Sequence, residues 1–96
     1  RIEMKNNDEI QLGGRFDAAQ VGKANEVFDQ VASSCVVDFK NLEYISSAGL
    51  GILLKTQKRL HKSGHALRLI NLNKHINDVF HYAGFNAIFE IGSSNS

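Results

Sequence analysis

The chain has 96 residues, 43% of them apolar, with 11 basic against 10 acidic side chains and a formal net charge of +1. That length gives one small domain with a single core. The near-neutral balance excludes a strong general attraction to nucleic acid or an anionic surface, and no apolar run is long enough to insert across a bilayer. A lone cysteine, Cys35, leaves no partner for an internal disulfide. Opening an apolar segment, it reads as a small buried hydrophobe in a reducing, cytoplasmic setting. The first residue is Arg1 rather than Met, which leaves room for an upstream segment.

Without proline, the punctuation falls to Gly, Asn and Ser. Ile2-Glu3-Met4-Lys5 alternates as a strand, Asn6-Asn7-Asp8 is turn-like, and Ile10-Gln11-Leu12 alternates again before Gly13-Gly14. Together they predict a hairpin. Asp17 followed by Gln20 forms a capping-box pattern opening a first helix, with Val21, Ala24, Phe28, Val31 and Ala32 along one face. Gly22 weakens that helix by about 1 kcal/mol relative to Ala. Val36, Val37 and Phe39 form a near-continuous apolar run, which predicts a strand covered on both faces.

The second helix is expected over residues 48–63. Leu50, Leu53, Leu54 and Leu60 recur at helical spacing, Lys58, Arg59 and Lys62 suit its C-terminal end, and Gly64 follows as a left-handed cap. Residues 66–72 predict another strand. Asn73 caps a third helix carrying Ile76, Val79, Phe80 and Ala83, closed by Gly84, and residues 88–91 form a last short strand. Residues 92–96 read as a disordered polar tail. The alternation of strands and helices predicts an α/β domain over residues 1–91: a mixed sheet of four to five strands with about three main helices packed on it.

The chemistry concentrates at Ser46-Ser47-Ala48-Gly49-Leu50, where a buried strand hands over to the second helix. Two hydroxyls there face a helix N-terminus, whose unpaired N–H groups and positive dipole end favour an anion. Either serine suits the role of an ordinary N-cap, and a capping hydroxyl can also accept a phosphate. A phosphoserine would add roughly −1.5 to −2 charges and three acceptor oxygens. At this position it would not unfold the helix, which predicts a rigid surface switch.

Val36-Val37-Asp38-Phe39, a short spacer and Tyr44-Ile45-Ser46-Ser47-Ala48-Gly49-Leu50-Gly51 resemble the signature of STAS domains, the bacterial anti-sigma-factor antagonists and their relatives. Gly14-Arg15-Phe16-Asp17 is similar to the upstream element of that family. The resemblance implies a STAS-like fold and a non-enzymatic role in partner switching. In this role the domain binds a serine kinase/anti-sigma factor when unphosphorylated and is released on phosphorylation, and a PP2C-type phosphatase restores it. The family loop usually reads Asp-Ser-Ser/Thr-Gly-Leu, so the phosphoacceptor falls on Ser47, with Ser46 as the alternative. Ser46 replaces the usual aspartate and Ala48 the second hydroxyl residue. Asp17, Ser46, Ser47, Gly49 and Leu50 are the implied partner-binding residues. The alternative role within the family is a non-switching subunit of a transporter or lipid-transport ATPase assembly.

Other chemistries find no footing. His61, His65, His75 and His81 show no regular ligand spacing with Asp, Glu or Cys, so no metal site is expected. Gly49-Leu50-Gly51 lacks the third glycine and the acidic residue of a dinucleotide fingerprint, and no serine sits in a hydrolase elbow. No cofactor and no catalytic residue are predicted. Asp38, in its strand, is expected to bond nearby backbone.

Overall fold

The computed structural model describes residues 1–6 and 8–92. It contains a five-stranded sheet in the order β1-β2-β3-β4-β5, formed by Ile2–Asn6, Glu9–Phe16, Cys35–Ile45, Leu67–Ile70 and Glu90–Gly92. β1 pairs antiparallel with β2, and every other neighbouring pair is parallel. Three α-helices fill the crossovers: α1 (Val21–Phe28), α2 (Ser47–His61) and α3 (Lys74–Tyr82). The predicted mixed sheet and three helices are therefore present.

The crossovers all step between adjacent strands in one direction, and right-handed connections then place the helices on one face. Burial agrees. Ile10, Leu12, Val37, Phe39, Leu67 and Leu69 are buried, whereas the intervening Glu9, Gln11, Val36 and Arg68 are only half-buried. On the second face of β3 Val36 is half-buried while Asp38 is only 8% exposed, so the expected cover of both faces is partial. The carboxylate of Asp38 accepts from Lys40 N (2.9 Å) and Asn71 Nδ2 (3.0 Å). Asp38 thereby ties β3 to the connection after β4, where Asn71 turns with φ 61°.

Boundaries shift where local signals compete with pairing. β2 continues through Gly13-Gly14 to Phe16 because β3 pairs with it over that whole stretch, whereas its pairing with β1 ends at Leu12. Gly14 takes φ 68° at a register shift against β3, a bulge that needs glycine. The capping box at Asp17 forms as expected, but it opens a 3-10 turn (Ala18–Gln20) that leads into α1. α1 stops at Phe28, so Val31 reaches the core from beyond the helix and Ala32 is exposed. A 3-10 turn at Phe85–Ala87 delays β5, leaving Ile88 43% exposed. Gly92 still pairs with Ile70. The rest of the expected tail, residues 93–96, lies outside the described residues, as does Asn7 of the expected first turn.

Phenylalanines organise the core. Phe16 stacks on Phe28 with centroids 6.5 Å apart, joining the end of β2 to α1. Phe80 meets Phe39, Phe85 and Phe89 edge-on, at 5.8, 5.9 and 5.9 Å, and pins α3 and the following turn to β3. Arg59 crosses from α2 to donate to the carbonyls of Val31 (2.6 Å) and Phe28 (2.9 Å), closing the end of α1.

Candidate functional site

Because β2 and β3 run parallel with Phe16 beside Ile45, the segments leaving both strands emerge side by side. One carbonyl joins them: Ser46 N donates to Phe16 O at 2.9 Å. The first turn of α2 presses onto the same place. A Cβ on Gly49 would lie 2.9 Å from Phe16 O, 2.9 Å from Ile45 Cγ1 and 3.1 Å from Phe16 Cγ. Glycine is therefore required here by close approach, since its φ is ordinary.

Ser46 is the N-cap. Its Oγ accepts from Gly49 N at 3.3 Å, and its carbonyl accepts from Leu50 N at 2.9 Å. Serine thus performs the capping that an aspartate in this place would perform, without the charge. Ser47 is the first helical residue and is exposed. The first turn contains no acidic side chain, whereas Lys58, Arg59 and His61 occupy the last. The positive end of the dipole at Ser47 is left uncompensated from within the helix.

Asp17 is committed locally. Its Oδ1 accepts from Ala19 N (3.0 Å), its own N–H donates to Gln20 Oε1 (2.8 Å), and its Oδ2 faces Arg15 Nε (3.4 Å). The structure therefore gathers Asp17, Ser46, Ser47 and Gly49 around the ends of β2 and β3. Gly49 is buried and shapes the turn, and Leu50 is half-buried against the edge of the core. Asp38 is directed to Asn71 rather than to the serine loop.

Two residues absent from the sequence-based site join it. The Arg15 guanidinium lies 4.2 Å from the Tyr44 ring centroid, and the two are register partners across β2 and β3. Tyr44 is 36% exposed, so this stacked pair forms an amphipathic surface beside the loops. Each precedes its site loop by two residues, a signal readable only once parallel pairing of the two motifs is assumed.

Elsewhere, burial and then the carboxylates of Asp8 and Glu9 push the Cys35 thiol up from 9.0 to about 11, so it stays protonated and unreactive at neutral pH. Among the described residues, no three His, Cys, Asp or Glu side chains are grouped to hold a metal ion. Within the same residues, no helix is long and apolar enough to cross a membrane.

The family model described as "Mlab, STAS domain" matches residues 2–90. The chain belongs to the STAS domain family. A Bordetella bronchiseptica protein named as an anti-sigma factor antagonist, BtrV, is 38% identical over 77 residues, covering 80% of this chain and 60% of that protein. The chain thus spans less than two thirds of that relative's length. A Staphylococcus aureus anti-sigma-B factor antagonist is 24% identical over 87 residues, covering 86% and 81% of the two chains. The fold is similar to that of the anti-sigma factor antagonist SpoIIAA in its unphosphorylated form, with a TM-score of 0.78, 19% identity and coverage of 99% and 89%.

Proposed function

We propose that this STAS domain is a phosphorylatable anti-sigma-factor antagonist of the cytoplasm, acting in a partner-switching pathway. Unmodified, it binds a serine kinase/anti-sigma factor through the surface around Asp17, Ser46, Ser47 and the Arg15–Tyr44 pair. The kinase phosphorylates Ser47, the complex ends, and a PP2C-type phosphatase restores the hydroxyl. The domain supplies a substrate hydroxyl and a docking face, and catalysis belongs to its partners. The observation that carries this reading is the exposed Ser47 at the uncompensated start of α2, one residue after a cap that is already satisfied. A phosphate there gains about 0.3–1 kcal/mol from the dipole, while its charge and bulk obstruct a partner seated on the loop.

Pull-down from native lysate tests the proposal. Ser47→Ala is expected to retain the kinase persistently, and Ser47→Asp is expected to lose it. Equal capture of a kinase by both variants would contradict the switch. A membrane ATPase or permease as the principal capture would support the alternative role as a transporter or lipid-transport subunit.

A further inference from the structure

A shallow cavity of about 410 Å³ lies between the C-terminal half of α2 and the segment entering β5, lined by Gln57, Lys58, His61, Lys62 and Ile88. It is the opposite end of α2 from Ser47, about 16 Å away at the 1.5 Å rise per residue over eleven residues. Its floor is fixed. The buried Gln57 side chain donates to Ile88 O (3.1 Å) and accepts from Leu67 N (2.8 Å), so Ile88 is held with its side chain half in solvent.

The α2 side of the cavity is one-signed. Between Glu43 and Asp78 the sequence has no acidic side chain, against six Lys or Arg. Of these, Arg59 is occupied with the carbonyls at the end of α1. Lys55 donates to Asn25 Oδ1 at 2.7 Å. Lys74 pairs with Asp78 at 3.1 Å, and Lys58 and Lys62 line the cavity. The nearest acid along the chain, Glu90, pairs with Arg68 at 2.9 Å.

The geometry points to a second interaction surface here, independent of the phosphorylation reading, whose occupant is an acidic peptide segment of a partner protein that inserts one apolar side chain. Charge complementarity selects an acidic occupant. The concave shape, with Ile88 in its lining, suits an inserted side chain of a peptide segment better than a lipid surface. A preformed apolar spot with a polar rim is the usual anatomy of such a contact.

Random peptides displayed on phage are selected against the full chain and counter-selected against its Lys58→Glu/Lys62→Glu variant. The expected winners carry Asp or Glu around one large apolar residue and shift the amides of Lys58, His61 and Ile88 in nitrogen-15 spectra of the wild-type chain. Their affinity falls roughly tenfold with the double charge reversal and weakens with added salt. It also falls with Ile88→Ser. The wild-type amide map decides the matter even where a variant folds poorly. Selection of no peptide, or shifts at other residues, overturns the proposal. Vesicles of anionic phospholipid that perturb these same amides overturn the peptide assignment in favour of a membrane.

Discussion

Gly49 shows how a single residue sets the site. Its backbone comes so near Phe16 O and Ile45 that even one methyl group overlaps them. The turn must therefore move if the residue grows. Gly49→Ala is expected to destabilise the domain by roughly 1–3 kcal/mol in urea denaturation, with spectral changes centred on Phe16 and Ser46. The same substitution at Gly51, where a Cβ meets nothing within 4 Å, is expected to stabilise α2 slightly. Cys35 illustrates a residue whose environment excludes chemistry. The folded state holds its proton to about 11 and the unfolded chain to 9.0, so folding gains a contribution that is full below pH 9 and lost as pH rises through 11. Between these limits, wild type is expected to lose more stability than Cys35→Ala. Parallel pH profiles of the two would contradict this.

At the scale of elements, α1 and α2 are held together by polar contacts as well as by apolar packing. Arg59 closes two carbonyls near the end of α1, and Lys55 bonds Asn25. Arg59→Ala is expected to cost about 1–3 kcal/mol and to increase hydrogen exchange in α1 first. A loss spread evenly over the sheet would contradict that assignment. The sequence pattern suited Arg59 to the end of its own helix, and the contact with α1 was illegible because it spans residues far apart in the chain. Capping signals were legible at Asp17, Asn73, Gly64 and Gly84, since each acts through neighbouring backbone. The extension of β2 past two glycines was not. Its cause is parallel pairing with β3, far along the chain, and a double glycine normally marks a turn. The 3-10 turn before β5 depends likewise on Phe85 and Phe89 packing against Phe80.

For the whole molecule, one fold holds two loops from distant sequence segments at one end of a rigid sheet. The serine loop was legible because hydroxyls, glycine and helical periodicity are contiguous. The Arg15–Tyr44 pair was not, because it exists only through parallel register. Since Ser46 already caps α2 and Ser47 is exposed, a negative charge on Ser47 adds to a helix end without touching the core. Ser47→Asp is expected to keep the core resonances unchanged and to unfold within about 1 kcal/mol of wild type. Widespread loss of dispersion would contradict a rigid surface response to charge at Ser47. The most direct test of the central claim is site-resolved phosphopeptide mass spectrometry of the chain recovered from its native cells. The account predicts phosphate on Ser47 in wild type and none on the serine loop of Ser47→Ala. An unmodified Ser47, or undiminished phosphate on the variant's Ser46, would contradict it.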